Sequence, residues 1–355
     1  MNRTDRLREA MVKIGVDAVI VSSEINQRYL SRYPFTDGLL LVTLDHAELL
    51  TDFRYFEDAQ KKADPQYTVV IPEYRFDHIR EFFDNDGVKT VGYEDETLSC
   101  AEYARFAEAF PKYTFKGIGG AIEKIREIKD EGELTDVAKA QEIADGALAH
   151  LLSVIHPDMT EIDVALELEF QMRRAGAEGV AFETIAVSGA ASSLPHGKPR
   201  NVKLQKGFLT LDFGALCNGY CSDMTRTFSV GPADREMKKL YATVLRAQTE
   251  ALAYLKEGAD CREADRIARE IIDAVPEYKG TFGHSLGHGV GMFIHEAPRL
   301  SSRASAKLVS GNVVTVEPGI YLMGKYGCRI EDMVAVTRDG IRNFTRSPKE
   351  LVELF

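Results

Sequence analysis

Apolar residues in the first third of the chain follow two rhythms. Asp5–Lys13 repeats them at helical spacing and stops at Gly15, while Ala18–Val21 (AVIV) is a short continuous run of the kind a buried strand shows. Gly38–Leu44 (GLLLVTL) and Ala47–Thr51 (AELLT) predict two further strands joined by a polar turn at Asp45 and His46. Tyr55–Ala63 predicts a helix, Tyr67–Ile71 and Thr90–Gly92 two strands, and Ser99–Phe110 a helix with Ser99 as its N-cap. Strands alternating with helices indicate an α/β layer. Asp52, Arg54 and Tyr55 follow a strand end and suit a helix cap or a local salt bridge. The charge-dense stretch Glu123–Glu133 (EKIREIKDEGE) has no strand pattern and marks the expected boundary, with one domain over residues 1–128 and a second over 129–355.

Beyond that boundary the pattern changes. Leu134–Val154 spaces Ala138, Ala140, Ile143, Ala144, Ala147, Leu148 and Leu151 for one buried helix face, and Thr160–Ala175 predicts a second helix capped by Thr160. Strand-like Thr184–Ser188, the loop Ser192–Pro199 (SSLPHGKP) and strand-rich Gly207–Val230 follow. Arg235–Glu257 and Arg262–Val275 read as helices, and Gly280–Thr337 as strand and turn.

Composition narrows the function. A chain of 355 residues favours two domains and allows a sizeable core. The net charge of -11 repels phosphate, so nucleic acid is not an expected partner. No apolar run is long enough to cross a bilayer, and the charged N-terminus MNRTDRLREAMVKIG has no signal core, so no membrane role is expected. Cys100, Cys217, Cys221, Cys261 and Cys328 lie far apart, without a disulfide framework or a paired zinc motif, which predicts a reducing cytoplasm.

The chemistry gathers in the second domain. Gly283–His295 (GHSLGHGVGMFIH) carries His284, His288 and His295 in a glycine-punctuated stretch that resists a helix. As extended backbone it turns His284 and His288 the same way. Asp212 lies in GFLTLDFG and Asp223 in YCSDMTRTFSV, separated by Asn218-Gly219, a hairpin turn signal. Pairing around that turn sets Thr225 opposite Asp212, and a four-residue loop shifted by one would set Asp223 there instead. Either register points both carboxylates to one face. Glu317, in NVVTVEPGIY, and Glu331, in CRIEDMVAV, are likewise equidistant from Gly324 in the connecting loop. Carboxylates side by side repel unless a cation lies between them. Four carboxylates and an imidazole exceed the needs of one catalytic zinc and suit two divalent ions about 3.5–4 Å apart. Oxygen-rich ligation leans to manganese, with cobalt or zinc able to substitute.

LDFGA, YCSDMTRTF, GHSLGHGVGMFIHE, VEPGIY and CRIED, in that order, resemble the metallopeptidases of the Xaa-Pro dipeptidase (prolidase) and Xaa-Pro aminopeptidase group. The resemblance extends by motif from about Glu131 onward, and by size and general pattern over the N-terminal region. It implies a creatinase-type α/β N-terminal domain and an α+β "pita-bread" catalytic domain with a curved, mostly antiparallel sheet. It further implies that Asp212, Asp223, His288, Glu317 and Glu331 ligate two divalent ions, with Glu317 also moving a proton. By the same resemblance His295 meets the substrate carbonyl, His196 lies near the scissile nitrogen, His284 lines the proline end, and Tyr321 and Arg329 match supporting positions behind the ligands in the proline-specific members, all three counted with substrate binding. The expected activity is hydrolysis of an Xaa-Pro bond near a free N-terminus by a hydroxide bridging the metals, in a homodimer. The alternatives are a methionine aminopeptidase-like enzyme and a non-catalytic binding protein on the same fold. The extra N-terminal domain and Arg329 count against the first. The complete ligand set counts against the second, since creatinase shares the fold without the ligands.

Overall fold

Asn2 starts the first helix by accepting the Asp5 amide, and Gly15 ends it in the left-handed region at φ 79°. The computed structural model describes residues 2–355, which divide between Arg126 and Glu127 into two compact units.

The first unit runs α1 (Arg3–Ile14), β1 (Ala18–Val21), α2 (Glu24–Ser31), β2 (Leu39–Thr43), β3 (Ala47–Leu50), α3 (Phe53–Lys62), β4 (Thr68–Val70), α4 (Arg75–Asn85), β5 (Thr90–Tyr93), α5 (Cys100–Ala109), β6 (Thr114–Gly117) and α6 (Ala121–Glu127). Its six strands form one mixed sheet in the order β4-β3-β2-β1-β5-β6. Every residue of β1 and β2 is buried, which requires cover on both sheet faces and accounts for their unbroken apolar runs. Asp52 caps α3 by accepting the Arg54 amide at 2.8 Å and also pairs with the Arg54 guanidinium. At the start of α2, where a bound anion would meet free amides, the chain supplies its own carboxylate. Glu94 accepts the Ser22 and Ser23 amides at 2.5 and 2.9 Å and the Asn26 side chain at 2.6 Å.

The second unit opens with α7 (Glu131–Val154) and α8 (Glu161–Arg174), each started by a capping box, at Asp130 and at Thr160. There follow β7 (Gly179–Val180), β8 (Ile185–Ser188), β9 (Gly207–Phe213), β10 (Ala215–Cys217), β11 (Tyr220–Cys221) and β12 (Met224–Val230). Next come α9 (Arg235–Tyr254) and α10 (Cys261–Asp273), then β13 (Gly287–Gly289), β14 (Glu296–Leu300), β15 (Val313–Val316), β16 (Gly319–Leu322), β17 (Tyr326–Arg329), β18 (Asp332–Thr337), β19 (Gly340–Asn343) and β20 (Glu353–Leu354). These strands form four short sheets, antiparallel throughout except where β20 joins β12. Each helix pair has its own core. Ala144, Leu148, Val164 and Leu168 of α7 and α8 pack with Leu209 and Leu211 of β9. Leu240, Val244 and Ala264 of α9 and α10 pack with Val314, Val316 and Val334 of β15 and β18. Among the described residues no helix is long and apolar enough to cross a membrane.

Candidate metal centre

Asp223, Glu317 and Glu331 lie where strands break, held there by register. Asn218 and Gly219 both have positive φ, 51° and 82°, as a two-residue hairpin turn requires. That turn fixes Thr225 opposite Asp212 and brings Asp223, just before β12, diagonally across from Asp212. Gly214 keeps the ribbon tight: a Cβ there would come within 1.9 Å of the Ser222 carbonyl oxygen. In the second ribbon Val316 pairs with Asp332 and Gly319 with Arg329, so Glu317 and Glu331 face each other across the interruption. β13 lies against β15 and carries His288 beside them, its amide donating to Thr315 Oγ1 at 3.1 Å. Gly287 approaches β15 so closely that a Cβ would lie 2.0 Å from the Thr315 carbonyl oxygen.

One cavity of about 520 Å³ gathers Asp212, Asp223, His284, His288, His295, Glu317, Arg329 and Glu331 with His196. The nearest ligand-type atoms of Asp223, His288 and Glu331 all lie within 4.8 Å of one another. His288 Nε2 lies 3.5 Å from Asp223 Oδ2 and 3.4 Å from Glu317 Oε1. Its ring meets that of His295 edge-on, with centroids 4.5 Å apart. His284 Nε2 and the Tyr321 hydroxyl are 3.0 Å apart. Arg329 is buried and committed to its neighbours: Nη2 donates to Asp212 Oδ2 at 2.5 Å, Nη1 to the Tyr321 hydroxyl at 2.7 Å, and Nε to Thr225 Oγ1 at 3.0 Å. His196 sits on the exposed loop at the rim.

The electrostatics favour a cation. Burial pushes the Glu317 carboxyl up to about 8. Burial, reinforced by Asp212 and Glu317, lifts Asp223 well above the usual carboxylate range, and burial with Asp223 beside it does the same to Glu331. Burial also pushes His288 down to about 4, leaving its imidazole neutral and able to ligate at neutral pH. Asp212 Oδ1 and Glu331 Oε1 are buried without a hydrogen-bond partner among the described residues. Buried, unpaired carboxylate oxygens and a neutral imidazole lining one cavity fit a divalent metal.

Comparison with known proteins agrees. The family model described as metallopeptidase family M24 matches residues 135–338, and that described as the creatinase/prolidase N-terminal domain matches residues 3–128. The chain belongs to metallopeptidase family M24. It is 38% identical to the Xaa-Pro dipeptidase of Pyrococcus furiosus over 99% of both chains. Among solved structures, the Xaa-Pro dipeptidase from Bacillus anthracis superposes with a TM-score of 0.95 at 41% identity, covering 99% of each chain. The X-Pro aminopeptidase from Thermotoga maritima gives 0.92 at 36% identity, covering 98% of this chain and 100% of that one. The chain is therefore a metallo-exopeptidase of the prolidase type, with a creatinase-type N-terminal domain before a pita-bread catalytic domain.

Some residues around this metallopeptidase's pocket are not of a type that sequence reasoning picks out as ligands. Thr225 Oγ1 donates to Glu331 Oε2 at 2.7 Å, and Thr315 Oγ1 to Glu317 Oε1 at 3.3 Å, so two strand threonines orient two carboxylates. Alternation along β12 and β15 gives the only hint of them. Arg299 and Lys198 also line the cavity, with Phe182, Ile185 and Ile294 as its apolar wall. Lys198 pairs with Glu183, whereas Arg299 makes no salt bridge among the described residues.

Proposed function

We propose that the protein hydrolyses the Xaa-Pro bond of dipeptides, and of short peptides at their N-terminus, using two divalent ions, with manganese as the working metal. The observation that carries this reading is the buried meeting of Asp223, His288 and Glu331 within 4.8 Å, beside Asp212 and Glu317 in one cavity. The names of the relatives, Xaa-Pro dipeptidase and X-Pro aminopeptidase, support the choice of bond. Asp212, Asp223, His288, Glu317 and Glu331 would hold the ions. When bound, these supply a water acidified to hydroxide near neutral pH and polarise the scissile carbonyl.

The protein's own groups do the rest. Glu317 takes the proton of the attacking water on a carboxylate oxygen and passes it to the departing proline nitrogen. His295 donates a hydrogen bond to the oxygen of the reacting carbonyl. His196 stands near the scissile nitrogen. His284 forms the end that receives proline, backed at 3.0 Å by the Tyr321 hydroxyl behind the cavity wall, and Arg329 holds Tyr321 and Asp212 in place. Phe182, Ile185 and Ile294 exclude water and favour an apolar residue before proline. Arg299, at the wall and without an ion pair among the described residues, favours a substrate whose C-terminal carboxylate falls inside the cavity, that is, a dipeptide. The chain works as a homodimer in the reducing cytoplasm, where its five free cysteines persist. The test is hydrolysis of Xaa-Pro against Xaa-Pro-Yaa-Zaa by manganese-loaded protein. Cleavage of the dipeptide at higher kcat/KM supports the proposal, and cleavage of neither would sink it.

A further inference from the structure

His196 is a proposed site residue on an exposed loop. Its imidazole makes no hydrogen bond among the described residues, so its place in the cavity is set by the backbone that carries it. That backbone, residues 189–199, begins as a short 3₁₀ turn after β8 and returns at Arg200. Both of its ends meet on a single carboxylate. Glu161, in the first turn of α8 and fully buried, accepts the Ser188 amide and hydroxyl on Oε1, both at 2.7 Å. The same carboxylate accepts the Arg200 amide at 3.0 Å and Nε at 2.8 Å on Oε2, and Nη2 at 2.6 Å on Oε1. Arg200 Nη2 also reaches the Ser188 carbonyl at 3.3 Å, which ties the two ends directly.

The middle of the loop is fixed from the other side. The Gly327 amide donates to Ser192 Oγ at 3.0 Å, and Arg329 Nη1 to the Pro195 carbonyl, next to His196, at 3.3 Å. A Cβ at Gly327 would come within 2.5 Å of the Ser192 carbonyl oxygen, so the β16–β17 hairpin lies hard against the loop. The loop is thus a closed arch, with its feet on Glu161 and its crown on β17 and Arg329.

We propose that Glu161, which touches none of the metal-centre residues, is a positioning residue for His196, acting through its clamp on Ser188 and Arg200. This rests on the functional reading above, since it gives the arch a purpose only if His196 meets the substrate. The physical argument is that a carboxylate accepting five donors, two of them from a bidentate guanidinium, is stiff. Burial pushes the Glu161 carboxyl up, and the donors led by Arg200 and Ser188 outweigh it and hold it below the usual range, so the clamp stays charged at neutral pH. Releasing the feet lets the arch shift by an ångström or so, and a misplacement of that size costs up to about 100-fold in rate.

The test is a double-mutant cycle of Glu161→Gln with His196→Ala, on manganese-loaded protein with an Xaa-Pro dipeptide. Glu161→Gln is expected to lower kcat/KM at least about tenfold, and by no more than about twofold when His196→Ala is already present. Manganese content should match wild type, which a general folding defect would not allow. Arg200→Lys, which leaves Glu161 bonded to Ser188, carries the same cycle if Glu161→Gln fails to fold. Equal losses in both backgrounds, or full activity in the folded single variants, would overturn the proposal. Amide hydrogen exchange gives a readout that does not depend on the reaction. Exchange should quicken at 189–199 in Glu161→Gln and stay unchanged at 283–295, and unchanged exchange at 189–199 would also overturn the clamp. A wild type inactive on both peptides would sink the functional reading, while exchange would still decide whether the clamp holds the arch.

Discussion

Glu317 has two proposed duties, holding metal and moving a proton, and substitution can separate them. Glu317→Gln is nearly isosteric and still ligates through oxygen, yet cannot accept the proton. It is expected to lose at least about 100-fold in turnover while keeping its metal content, read by elemental analysis beside product formation. Near-normal turnover with metal retained would remove Glu317 as the base. His295→Ala should weaken transition-state stabilisation by about 3–4 kcal/mol with the metals in place, as one lost oxyanion donor does. Inhibitor affinity and kcat/KM should fall together. Arg299→Ala should raise KM for Xaa-Pro several-fold and leave Xaa-Pro-Yaa-Zaa nearly unchanged, because only the dipeptide places its carboxylate within the cavity. Equal effects on the two would show that Arg299 does not read substrate length.

At the scale of elements, turn chemistry made both ribbons legible. Asn218-Gly219 announces a two-residue hairpin, and the observed turn has both residues at positive φ, which selects the register with Thr225 opposite Asp212. Gly324 centres the second ribbon in the same way, with Leu322 opposite Tyr326. Elements without that signal escaped the sequence. α2 buries Asn26 and Gln27, so its inner face does not read as apolar. α4 buries only Ile79 and Phe83 and has no side-chain cap. β6 is an edge strand with no buried residue. Within the site, Thr225, Thr315 and Arg299 sit outside the ligand types that spacing can flag. The arch over Glu161 was equally silent, because its partners are distant in sequence. Its charge makes a pH prediction. The folded Glu161 carboxyl lies below its unfolded value, so its contribution to stability is full above the ordinary glutamate range and is lost as pH falls through the depressed value. The urea-unfolding difference between metal-free wild type and Glu161→Gln should therefore be largest near pH 7 and shrink below about pH 4. A difference constant across that range would show that the clamp does not depend on charge.

For the whole molecule, the comparisons assign each unit its type, creatinase-type for the first and metallopeptidase for the second. The metal-type cluster found among the described residues, Asp223, His288 and Glu331, lies in the second unit, and in the first the carboxylate of Glu94 fills the anion position at α2. A homodimer is expected by light scattering at micromolar concentration, and a fully active monomer would remove any role for a partner subunit. The decisive measurement is the metal itself. Metal-free protein titrated with manganese should bind about two ions per chain, followed by elemental analysis after dialysis, and Xaa-Pro hydrolysis should rise with them. Undiminished hydrolysis with no bound metal would contradict the proposed chemistry at its root.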